Sequence, residues 1–290
     1  MLPFGAAILL LWGTSEADRR DILPIRSRML WLLLPLLALL ASSLSFHLLL
    51  LELGGTPGLK PDPKLVRSLV TGSALGTAWI VRTIALTVMS VAGYLTVRSS
   101  SNALLAVLVL TGGVALATLS WSGHAAASEP PLGTLHRFGN SMHLWAAGAW
   151  VGSLALFVAF IHAIRRPSTA EVAILQRMLS RFSAAGTLIV LLLVVTGIGN
   201  SAMIIGRGGL PAIIDTPYGR LLALKLLAFA LMLGLAAYHR WRLTGRLTPA
   251  DGGVASSVAK LKYSMTAEVA LGIFILILVG WLGTLDPMLQ

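Results

Sequence analysis

The chain has 290 residues, 56% of them hydrophobic and only 11% charged, with a net charge of +11 and no cysteine. A soluble domain carries about twice that charged fraction, so the composition describes a polytopic membrane protein with no separate soluble domain. The missing cysteines exclude disulfides, thiolate metal sites and iron–sulfur clusters, and the basic residues fall in short stretches between apolar runs, which fits membrane topology and not a nucleic-acid partner.

Residues 1–13, MLPFGAAILLLWG, are apolar but shorter than the ~20 residues a spanning helix needs. They read as a short or partial first helix, without the basic start of a signal peptide. A basic loop holding Arg19, Arg20, Arg26 and Arg28 follows. Helix two is expected over about 29–53, with His47 and Glu52 near its far end, and a Gly- and Pro-rich stretch ends it. Helix three is expected over 68–97 with Arg82 near its middle, and helix four over 103–121 after a tight turn. The loop SGHAAASEPPLG then carries His124.

Helix five, expected over 135–162, opens with LHRFGNSMHLWAAGAWVG. Its histidines, His136 and His143, are seven residues apart, which puts them on one face and about 10 Å apart along the axis. Ala146, Ala147, Gly148, Ala149 and Gly152 then form a small-residue stretch that lets another helix approach closely. Helix six is expected over 182–205, helix seven over 219–241 after TPYG and carrying Lys225, and helix eight over 263–285 with Glu268 inside. The fold class is therefore an all-α transmembrane bundle of about eight helices, the first one short. Residues 1–290 form a single integral membrane domain.

Alternate loops carry fourteen and six lysines and arginines. The richer set is expected in the cytoplasm, which places the C-terminus outside. His162 and His239 then fall at cytoplasmic helix ends beside arginines, where a solvated or snorkelling side chain is the ordinary reading. His47, His124, His136 and His143 fall on the outer side, from three separate chain segments.

Imidazole suits copper, zinc, iron and nickel, and a thioether such as Met142 selects Cu(I), although methionine in a membrane helix is more often packing. His136 and His143 cannot share one ion directly, because ligand bonds are only ~2 Å long. Two levels follow, one near the surface and one two turns deeper. Arg82, Lys225 and Glu268 are costly inside a bilayer and call for a structural partner or a transport role. No phosphate-binding loop or zincin helix is present, so neither an enzyme nor ATP-powered transport is expected.

The pieces SGHAAA at 122–127, HLWAAGAWVGSL at 143–154, RFS at 181–183, TG at 196–197, TPYGRLLALKLLAFALMLGLAAYHRWRL at 216–243 and AEVALGIFILILVGWLGTLDP at 267–287 resemble the copper resistance protein D (CopD) family. The resemblance covers a core of about 120–287, and the first half is similar only in hydropathy. It implies a multi-pass protein of the bacterial inner membrane associated with copper movement and copper resistance, alongside a periplasmic CopC-type copper-binding partner. It carries copper onto His124 and His143, while His47 and His136 join by topology. Two readings follow: a transporter taking copper from the periplasm, with His143 and His47 as central ligands, or an electron-transfer protein with haem b held between those same two histidines.

Overall fold

The computed structural model describes residues 1–22, 25–54, 60–96, 99, 101–121, 132–164, 167–205, 216–238 and 254–285. They form ten α-helices: α1 Leu2–Gly13, α2 Glu16–Ile22, α3 Ile25–Gly54, α4 Pro63–Gly72, α5 Ala74–Thr96, α6 Asn102–Ala117, α7 Leu132–Ala163, α8 Thr169–Ile205, α9 Pro217–Tyr238 and α10 Val254–Leu282. A 3-10 turn, Thr118–Trp121, extends α6. Seven helices are long and apolar enough to cross a membrane, and α1 is a shorter apolar helix. This is the expected architecture.

Several boundaries differ from the expected ones, each for a local reason. The stretch after α1 is helical because Ser15 and Asp18 cap each other: the Asp18 N–H donates to Ser15 Oγ, and the Ser15 N–H donates to the Asp18 carboxylate, both at 3.2 Å. The third expected helix is two, because the Ser73 hydroxyl accepts the Gly76 N–H at 2.9 Å and starts α5 anew. Helix α8 begins thirteen residues before 182. Ser168 and Glu171 form a reciprocal capping box there, with Ser168 N–H to Glu171 Oε2 at 3.0 Å and Glu171 N–H to Ser168 Oγ at 3.2 Å.

The short α1 lies in the core. Leu9, Leu10 and Ala7 are fully buried, and α1 packs on α6, α7 and α8. The small-residue stretch of α7 makes this possible. A Cβ added at Gly5 would lie 2.2 Å from the Gly148 carbonyl oxygen, and one at Gly152 would lie 2.7 Å from Gly5 Cα, so the two backbones are in direct contact. The Ser153 hydroxyl donates to the Gly5 carbonyl at 3.2 Å across the same crossing.

Arginines fasten the end of the bundle where α1 finishes. Arg19 is 2% exposed and donates to Thr14 Oγ1, the Leu10 carbonyl and Asn102 Oδ1, the last at 2.8 Å, so it ties the end of α1 to the start of α6. Arg181 donates to the Trp12 carbonyl at 2.8 Å, and Arg177 pairs with Asp18 at 2.8 Å.

Helix α7 is the most buried span and the hinge between two groups of helices. On one side, α3 packs on α5 and α5 on α6. On the other, α8 and α10 pack on α7, and α9 packs on α10. Helices α8 and α9 are not among the closely packed pairs, and the space between them holds the cavities described next. Outward leucines of α3, among them Leu37, Leu40, Leu44 and Leu48, form an exposed apolar face suited to a lipid bilayer.

Candidate functional site

His143 lines a cavity of about 640 Å³ between α7, α8, α9 and α10. The walls are mostly aliphatic, and Lys225, Ser201 and His143 are the polar residues among them. The cavity lies toward the end where α7 and α9 begin and α8 finishes.

The imidazole is held by the TG pair of α8. His143 Nδ1 is 2.9 Å from Thr196 Oγ1. Thr196 spends its one hydroxyl proton on the Leu192 carbonyl. The hydroxyl therefore accepts from His143, and the proton of that bond sits on Nδ1. In the neutral ring, Nε2 then keeps its lone pair, which is the state a metal ion requires. Gly197 completes the seat, since a Cβ there would lie 3.6 Å from His143 Cε1. Thr196 and Gly197 were not singled out as functional in the sequence; the signal was the TG dipeptide within the family-like segments.

A polar chain lies above His143. Asn200 donates to Asn140 Oδ1 at 3.3 Å, Asn140 donates to Ser120 Oγ at 3.1 Å, and Ser120 and Ser141 hydroxyls meet at 2.9 Å. These bonds join α8, α7 and the 3-10 turn at the same end of the bundle. Close by, Arg82 donates to Thr118 Oγ1 and to the Thr118 carbonyl, each at 2.9 Å, which gives this intramembrane charge a structural partner at the end of α6.

The other candidates separate. His136 is 4% exposed, two turns before His143 on α7, and is not on the cavity wall; nor is Met142. His47 is half-buried on α3, next to Phe46, whose ring stacks on Trp79 of α5 at 4.4 Å. Helix α3 packs on α5 and contributes nothing to the cavity wall. His124 and His239 lie outside the described residues. Among the described residues, no three histidines or acids are grouped as a ready metal cage, and no second histidine lines the His143 cavity. TPYG starts α9: Thr216 Oγ1 accepts the Gly219 N–H at 3.0 Å, Pro217 takes the first helical position, and the buried Tyr218 packs by Leu282.

A helical, multi-pass membrane protein with a histidine poised in an apolar cavity is the class that this architecture defines. The comparisons with known proteins narrow it. Residues 176–282 match the family described as copper resistance protein D, and residues 1–134 match the copper resistance protein D-like N-terminal domain. The copper resistance protein D of Pseudomonas syringae pv. tomato is 34% identical over 292 residues, covering 100% of this chain and 94% of its own. The inner membrane protein YebZ of Escherichia coli strain K12 is 28% identical over 169 residues, covering 58% of this chain and 55% of its own. No solved structure matches. The chain belongs to the copper resistance protein D family, and its first half belongs with the second.

Proposed function

We propose that this protein carries copper across the bacterial inner membrane, from the periplasm toward the cytoplasm, and so contributes to copper homeostasis and resistance. The observation that carries the reading is the His143 seat: Nδ1 engaged by Thr196, Nε2 left with its lone pair, and a cavity beside it. Copper here is cargo. Family membership supplies the metal, and the imidazole donor suits it. The arginine-rich end faces the cytoplasm, so His143 faces the periplasmic half and the C-terminus is periplasmic. No catalytic step is assigned to the chain. A periplasmic CopC-type protein is the proposed donor. His124, His47 and Met142 act in capture on the outer side, the buried His136 is a step on the way inward, and His143 is the ligand within the membrane. The copper reading is preferred to haem b because a six-coordinate haem between helices needs a facing axial histidine.

Copper uptake into liposomes containing the purified chain tests this. His143→Ala should lower the initial rate by at least tenfold, and Thr196→Val by less. Uptake by His143→Ala at the wild-type rate would refute the proposal.

A further inference from the structure

A second cavity, of about 310 Å³, is lined by the same four helices. Its walls include Trp150 of α7, Phe182, Ser183 and Thr187 of α8, Leu233 of α9, and Met265 and Glu268 of α10. Each helix places it below the first. Along α8, which runs away from the arginine-rich end, the second cavity takes residues 179–190 and the His143 cavity 193–202. Along α9, which runs the other way, the His143 cavity takes 222–232 and the second 233–237. On α10 the second takes 265 and 268, and the first 272–276. Trp150 lines both. The two cavities are therefore stacked along one bundle and share an indole as their partition.

Three observations give the lower cavity a chemical identity. Glu268 is 1% exposed within a membrane span. An intramembrane carboxylate is expensive, and one on a cavity wall marks a cation or proton pathway. Met265 is 2% exposed and three residues away on the same helix face, so a soft thioether and a carboxylate line one wall together. Trp150 is 4% exposed and its indole N–H has no acceptor among the described residues, although it borders both spaces. A buried donor of that kind is satisfied by something within a cavity, such as water accompanying an ion. The tryptophan face also attracts cations.

We propose that the lower cavity is a second copper site, in which Cu(I) is held by Met265 Sδ and the Glu268 carboxylate, one step inward from His143 across Trp150. A thioether selects the monovalent ion, and the carboxylate neutralises its charge. Met232, 3% exposed on the wall of the His143 cavity just above the partition, supplies a second thioether on the same route. This rests on the reading of His143 as the outer ligand.

The test is a titration of the purified full-length chain with Cu(I) against a chromophoric chelator, with sulfur scattering read at the copper absorption edge. Wild type should hold two equivalents. His143→Ala should keep one equivalent, with sulfur in its shell. Met265→Leu and Glu268→Gln should each keep the histidine-bound equivalent and weaken the other at least tenfold, with the sulfur signal reduced in Met265→Leu. Met265→Leu conserves volume and is the informative variant if Glu268→Gln melts early. Unchanged stoichiometry and affinity in Met265→Leu, with one equivalent lost in His143→Ala, would overturn the second site and leave the first. Loss in Met265→Leu with no change in His143→Ala would do the reverse.

Discussion

The contact between α1 and α7 makes a sharp demand on two glycines. In Gly5→Ala the new methyl would sit 2.2 Å from the Gly148 carbonyl oxygen and 2.8 Å from both the Ala149 oxygen and Gly152 Cα. Favourable carbon contacts begin near about 3.5 Å, so the helices must part by roughly 1 Å. In Gly152→Ala the obstacles are Gly5 Cα and N and the Leu2 oxygen, at 2.7–2.8 Å. All of these are backbone atoms, and no side chain is available to rotate away. Overpacking typically costs about 1–3 kcal/mol, and with rigid obstacles each variant should fall at or above the upper end. For a chain of this size that is a drop on the order of 5–10 °C in apparent Tm. Gly234→Ala is the control, because nothing lies within 4 Å of the added methyl. There alanine should be neutral or stabilising by up to about 1 kcal/mol, the ordinary helix-propensity difference. The assay is thermal unfolding of the three purified variants in one detergent. If Gly5→Ala and Gly152→Ala melt with Gly234→Ala, the backbone contact is wrong.

Further outcomes follow from other contacts. Thr196→Val keeps shape but removes the hydroxyl acceptor for His143 Nδ1, so copper affinity should fall by about 10–100-fold, as for other partners of metal-bound histidines; an unchanged binding isotherm would contradict the role given to the Thr196 hydroxyl. Asn102→Ala removes the 2.8 Å acceptor of the buried Arg19 guanidinium and should destabilise the protein by about 1.5–3 kcal/mol, and a wild-type melting temperature would count against the tie between α1 and α6. Burial works to raise the pKa of Asp18, but the hydrogen bonds from Ser15 and the charge of Arg177 outweigh it and hold it below the ordinary 3.8. The carboxylate form therefore adds stability above that value, and the contribution is lost as pH falls through the lower folded pKa. The pair is partly exposed, so the effect should be small, and Asp18→Asn should flatten the acid limb of a Tm-against-pH curve below pH ~4.

The spans and their order were legible in the sequence because apolar length alone decides what crosses a bilayer. The buried setting of α1 was only half legible: the small residues 146–152 announced a close neighbour, but hydropathy cannot say which helix it is. Helix starts inside charged stretches are carried by caps and not by hydropathy, and Ser15 with Asp18 and Ser168 with Glu171 are the signals that mark them. At the site, depth was readable and lateral position was not. His47 and His143 sit at similar levels by helix counting, yet α3 packs on α5 and α8 supplies the partner of His143. The pairing of α7 with α8 depends on long-range packing, for which one sequence carries no periodic signal. Thr196, Gly197 and Trp150 were overlooked because each is an ordinary membrane-helix residue until its neighbours are known.

The central claim is that His143 Nε2 binds copper inside the membrane. X-ray absorption at the copper edge of the copper-loaded wild-type chain and of His143→Ala tests it most directly. The account predicts imidazole scattering in the wild type and its loss, together with one equivalent of copper, in a well-folded His143→Ala protein. An unchanged imidazole signal and copper content in that variant would contradict it.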